Sequence, residues 1–143
     1  MKEAINKEKW TSWNPIDNFS YKFYIDAIAD DSKSLRITLT DIEDKTNKIQ
    51  IIFDGTVHSY RVTNESFRRS TIKFMDEEVD CSKGLFFKVI DNSEYFEWLV
   101  KESGEVVKVD IESNSLIHFV FVDSDSFIDV VANYEPRIER IKS

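Results

Sequence analysis

Glycine, proline and cysteine are scarce: the 143 residues hold three, two and one of them. With three glycines the chain has no G-x-x-x-x-G-K-S/T, no G-x-G-x-x-G and no G-x-S-x-G, so backbone cradles for phosphates and a nucleophile elbow of that kind are excluded. No Pro/Gly/Ser tract or fixed-period repeat divides the chain, which predicts a single domain over 1–143. Cys81 alone makes no internal disulfide, and one cysteine with two histidines makes no zinc set; no metal or cofactor is expected. Positive charge is also short. The 19 Lys and Arg against 27 Asp and Glu leave a net charge of −8, so the electrostatic footprint of a nucleic-acid binder is missing and a steered partner should be basic. Apolar runs such as Phe119-Val120-Phe121-Val122 fall far below the roughly 20 residues a membrane helix needs. No membrane span is predicted. The opening Met1-Lys2-Glu3-Ala4-Ile5-Asn6-Lys7-Glu8 carries no apolar signal core, and cytoplasmic residence is the expectation.

Aromatics, in contrast, make up 13% of the chain, with 11 Phe, 5 Tyr and 3 Trp, and this content demands a packed interior. Much of it lies in β patterns. Tyr21–Ile28 is rich in aromatic and β-branched residues, and Leu35-Arg36-Ile37-Thr38-Leu39-Thr40 alternates strictly, placing Leu35, Ile37 and Leu39 on one buried face. Asp30-Asp31-Ser32-Lys33 between them is a polar turn. Ile49–Phe53, the Asp54-Gly55 pair and Val57–Val62 read as a tight hairpin of type I′ with positive φ at Gly55. A four-stranded meander is therefore expected between Tyr21 and Thr63. A short strand is read at Thr71–Met75 and an exposed acidic loop at Asp76-Glu77-Glu78-Val79-Asp80. Leu85–Ile90, Val106–Ile111, Leu116–Val122 and Ile128–Ala132 complete the strands.

Between two of these strands the period changes. Tyr95, Phe96, Leu99 and Val100 recur at helical spacing, Asn92 or Ser93 can cap the start, Glu94 suits the positive first turn and Gly104 follows the end. One helix over about 93–103 is predicted. The fold class is α+β, a mostly antiparallel meander of about seven to nine strands with that helix packed on it.

Chemistry is sparse. His58 and His118 sit mid-strand, where half-buried structural histidines are the ordinary finding. Cys81 follows acidic residues whose field raises a thiol's pKa, so it reads as passive. Asp123-Ser124-Asp125 closes an apolar strand as the D-x-D of phosphotransferases does, but the downstream helix and lysine of that chemistry have no room, and a hairpin turn is the better reading. No catalytic residue is assigned. The acidic segments Asp26/Asp30/Asp31, Asp41/Glu43/Asp44, Asp76/Glu77/Glu78/Asp80 and Asp123/Asp125 are solvated turns or, taken together, a face for a basic protein. Asp76, Glu77, Glu78 and Asp80 are the candidate partner-binding residues, being four carboxylates within five positions. Trp10 and Trp13 read as anchors that clamp the N-terminal stretch onto the sheet, with an interface role as the alternative.

Tyr60-Arg61-Val62-Thr63-Asn64-Glu65-Ser66, Phe86-Phe87-Lys88-Val89, Asn92-Ser93-Glu94-Tyr95 with Trp98-Leu99, and His118 followed by Ile128-Asp129-Val130-Val131 and Glu135-Pro136 occur in that order. This order resembles small acidic Bacillus-type proteins encoded beside wall-associated, Rhs-repeat polymorphic toxins, which serve as their cognate immunity proteins; the likeness covers Ile49 to Pro136. It implies binding without catalysis: a cytoplasmic antitoxin that plugs a C-terminal toxin domain, commonly a nuclease. The matched positions are sheet and helix core, so the resemblance assigns no functional residue. The alternative from the residues alone is a ligand-binding or enzymatic β-rich domain with its pocket between sheet and helix.

Overall fold

The computed structural model describes residues 8–15, 22–79 and 86–142. Alternating apolar side chains sort its strands into two antiparallel sheets. In the four-stranded sheet β2 (Phe23–Asp30), β3 (Leu35–Asp41) and β4 (Asn47–Phe53) run as a meander, and β9 (Arg137–Lys142) adds to β4. The five-stranded sheet has the order β1 (Lys9–Ser12), β6 (Phe86–Asp91), β7 (Ile117–Val122), β8 (Ser126–Ala132), β5 (Ser59–Asn64). One core joins them. Leu35, Ile37, Leu39, Ile49, Ile51 and Phe53 pack against Phe86, Phe119, Phe121, Ile128, Val130 and Ala132, which makes the two sheets a sandwich.

Helices cover the other face of the larger sheet. α1 (Arg69–Glu78) lays Met75 and Ile72 on Phe87, Val120, Val122 and Phe127, while α2 (Glu94–Ser103) and α3 (Lys108–Glu112) lay Tyr95, Leu99 and Ile111 on Val131 and Leu116. β7 and β8 are thus buried on both faces, which explains their nearly unbroken apolar runs.

The helix expected over 93–103 is present as α2. The Ser93 hydroxyl accepts the Phe96 N–H at 3.0 Å, and Gly104 closes the helix in the left-handed region at φ 65°. Trp10 and Trp13 act as clamps: Trp10 packs on Phe74 and Phe87, Trp13 on Phe86, Phe119 and Phe121. Asp123–Ser126 forms the turn read there, with Asp123 Oδ1 accepting the Asp125 and Ser126 N–H groups at 2.8 Å each.

Four readings need correction. Residues 71–75 are helical within α1, because Ile72, Met75 and the following Val79 meet the sheet at a spacing of three and four. That helix takes up Asp76, Glu77 and Glu78 as its last turn, so they are not a loop; Asp80, like Cys81, lies outside the described residues. Val106–Ile111 is also not a strand: after Gly104, Glu105 turns the chain at φ 73°, α3 follows, and Val106 and Val109 point to solvent while Ile111 packs inward. Among the described residues the one expected helix therefore becomes three. The Asp54-Gly55 hairpin is replaced by a crossover, since β4 and β5 belong to different sheets and β9 takes the place beside β4. Gly55 has φ 156°, positive but far from a type I′ value. Among the described residues no helix is long and apolar enough to cross a membrane.

Candidate functional site

Two regions of the molecule concentrate polar groups, and they differ in kind. The first is internal. On the helix-covered face of β8 the row Phe127, Asp129, Val131 places a carboxylate with no solvent exposure among apolar neighbours. The sheet register sets Arg61 of β5 directly opposite Asp129. Arg61 Nε donates to Asp129 Oδ2 at 3.0 Å and Arg68 Nη1, from the start of α1, donates to the same oxygen at 2.7 Å. His118 Nε2–H donates to Oδ1 at 2.7 Å, and the Ser93 hydroxyl meets His118 Nδ1 at 2.8 Å. Burial by itself would push the Asp129 carboxyl up; the His118 hydrogen bond and the charges of His118, Arg68 and Arg61 outweigh it and hold the group well below the ordinary carboxylate range.

Ser93, His118 and Asp129 therefore form a hydrogen-bonded chain of the kind used in nucleophilic hydrolysis. Its surroundings favour a structural role. Ser93 is 5% exposed and already accepts the N–H of Phe96, so its oxygen is engaged in capping α2. Asp129 is held by two guanidinium groups, which weakens the stabilisation it can give an imidazolium. The chain ties the start of α2 to β7 and β8, and Arg68 ties the start of α1 to β8. Arg61 completes the lattice, stacking at 4.3 Å over the Tyr95 ring and reaching Glu94 Oε1 at 3.2 Å. Sequence reasoning placed His118 as a structural residue but passed over Asp129, Arg61, Arg68 and Ser93's bond to His118. The available signal was Asp129 itself, a lone carboxylate inside Ile128–Val131, which a buried strand tolerates only with partners. His58, by contrast, is exposed.

The second region is the surface around α1. This helix is charged against its own dipole: Arg68 and Arg69 stand at its start, and Asp76, Glu77 and Glu78 lie in its last turn, which itself contains no basic residue. The predicted carboxylates divide between its two sides. Asp76 lines a cleft of about 230 Å³ with Glu65, Asp123 and Ser124 over Ile72, Met75, Val122 and Phe127. Glu77 and Glu78 line another of about 440 Å³ with Glu8, Glu94, Arg68, Lys73 and Phe74. A helix whose last turn repels both itself and its dipole is held in place by Met75, Ile72 and Arg68, not by its own charge pattern.

Two further clefts adjoin each other beside α2. One, of about 390 Å³, is bounded by Lys88, Asp91, Ser93, Phe96, Ile111 and Leu116; the other, of about 410 Å³, by Phe96, Val100, Lys101, Lys108 and Ile111. Among the described residues no three His, Cys, Asp or Glu side chains gather so as to hold a metal ion. No protein-family model, curated protein or solved structure matches the chain.

Proposed function

We propose that this protein is a binding protein for a basic protein domain, and that it acts as the cognate immunity protein of a toxin domain, a nuclease being the natural case. The observation that carries the reading is the last turn of α1, where Asp76, Glu77 and Glu78 stand exposed against the helix dipole. Such a placement costs free energy in the isolated protein, and a positively charged surface docked there relieves it. Nuclease toxins hold phosphates with Lys and Arg, so a carboxylate face at net charge −8 mimics the charge of their substrate. The order of segments from Ile49 to Pro136, with its likeness to immunity proteins of Rhs-repeat toxins, supports the same reading.

The test is stopped-flow association with the toxin domain encoded beside this protein's gene. The rate should fall steeply between about 0.01 and 0.15 M salt, as the Debye length shrinks from about 30 to 8 Å. Changing Asp76, Glu77, Glu78 and Asp80 together to Asn and Gln should slow association about tenfold at low salt, with folding intact. A rate indifferent to salt overturns the proposal. The adjoining clefts beside α2, of about 390 and 410 Å³, favour a second reading as a small-ligand domain because they reach the size of ligand sites. A metabolite library that raises the thermal midpoint, with the effect removed by Phe96→Ala, would support it.

A further inference from the structure

We infer that the cleft between α1 and the β7–β8 turn is the anchor pocket for a single lysine or arginine side chain of the protein partner, a conclusion that rests on the function proposed above. The floor is apolar: Phe127 and Val122 of the sheet with Met75 and Ile72 of α1, the first three nearly or wholly buried. The rim is acidic on three separate elements, with Glu65 from the turn after β5, Asp76 from α1 and Asp123 from the end of β7. Among the described residues that line it none is positively charged. Arg68 lies over the Phe127 ring at 4.8 Å, but its guanidinium is bonded to Asp129 and is not among the lining residues.

The size and spread of these groups select the occupant. At about 230 Å³ the cleft is below the roughly 300–1,000 Å³ of small-molecule sites. Among the described residues the three carboxylates do not gather as a metal site, so their charge is spread over the cleft and does not converge on one point. That pattern matches a side chain with an alkyl stem and a cationic tip, which covers apolar surface with the stem and keeps the tip at the polar edge. Methionine in the floor adapts to either cation. Asp123 contributes without being free to move: Oδ1 accepts the N–H groups of Asp125 and Ser126, and Oδ2 accepts the Ile25 N–H at 2.7 Å. It is a fixed negative charge, while Glu65 and Asp76 supply the adjustable contacts. The cleft holding Glu77 and Glu78 lies on the other side of α1, so a basic partner surface seated here straddles the helix.

The experiment is a methyl-detected NMR titration of the full chain with three capped tripeptides, Gly-Lys-Gly, Gly-Arg-Gly and Gly-norleucine-Gly, the last having an alkyl stem and no charge. The expected result is a saturable shift of the Ile72, Met75 and Val122 methyl signals with the two cations and none with norleucine. In the double variant Glu65→Gln, Asp76→Asn the cation affinity should be about fivefold weaker, the scale of two exposed ion pairs, with the remaining methyl spectrum unchanged. Equal shifts from norleucine, shifts spread evenly over other acidic turns such as Asp41–Asp44, or an unchanged affinity in the double variant each overturn the inference. The partner experiment separates it from the broader reading. If the double variant binds the toxin domain with the parent's rate and lifetime, this cleft is not the anchor and the acidic-face proposal stands; salt-independent association of the parent sinks that proposal, whatever the tripeptides do.

Discussion

Strand β8 shows two different ways of filling a protein interior. Its inner row, Ile128, Val130 and Ala132, meets the four-stranded sheet through apolar contact alone, with the Phe53, Phe119 and Phe121 rings packed around it. Its outer row, one residue out of phase, places Asp129 between two apolar neighbours and joins it to His118, Arg61 and Arg68. Contact between apolar surfaces is non-directional and tolerates changes of shape, whereas a buried carboxylate is stable only with its donors in fixed positions. The sandwich face thus supplies bulk stabilisation. The helix face supplies registration: α1 is located by Arg68, and α2 by Ser93 and Tyr95, whose hydroxyl bonds Ser59 of β5.

The most severe way to break this contrast is Asp129→Asn, which keeps the shape and removes the charge. It should destabilise the fold by up to about 3–5 kcal/mol, because the partly buried guanidinium groups of Arg68 and Arg61 lose the counter-charge they share. Urea unfolding at neutral pH measures it. The same variant carries a pH signature. The folded-state pKa of Asp129 lies below its unfolded value of about 3.9, so its contribution is complete above that pH and is lost as pH falls towards the folded value. The part of the stability gap between parent and Asp129→Asn that comes from the carboxylate should therefore shrink as pH falls below about 4.

A smaller effect is expected at the other end of the chain of bonds. Ser93→Ala removes both the cap of α2 and the partner of His118 Nδ1, and should cost about 2 kcal/mol. Hydrogen exchange should show the loss first in the opening turn of α2. The smallest effect belongs to the neighbour of Asp129 on the opposite face: Ile128→Leu should cost under about 1.5 kcal/mol, since a core accommodates a near-isosteric apolar change by repacking. If Ile128→Leu proves as damaging as Asp129→Asn, the contrast between the two faces of β8 is wrong.

Local rules served well where one segment carried its own answer. The apolar period of three and four at Tyr95, Phe96 and Leu99, with Ser93 before it and Gly104 after it, specifies α2 without help from the rest of the chain. Strict alternation did the same for β3. In α1 the signals conflicted. Thr71, Ile72 and Phe74 favour a strand, no side chain caps the start, and the charges oppose the dipole. Its helical state follows from burying Ile72 and Met75 on the sheet and from Arg68 reaching Asp129. Likewise Val106–Ile111 has strand-forming residues but no pairing partner, and Asp54-Gly55 has hairpin chemistry in a connection that crosses between sheets.

The candidate surface was legible to the same degree. Acidic crowding at Asp76, Glu77 and Glu78 stands in the sequence, and so does the net charge of −8. Composition, periodicity and caps by themselves determined an acidic, mostly antiparallel α+β chain with a packed aromatic core and the helix at α2. Tertiary structure alone decided that β5 leaves the meander, that Asp129 sits among His118, Arg61 and Arg68, and that Glu65, Asp76 and Asp123 rim one cleft. The physical reason is separation along the chain: Arg61 and Asp129 are 68 residues apart, and no local propensity or spacing carries information about which distant side chains a sheet register will set face to face.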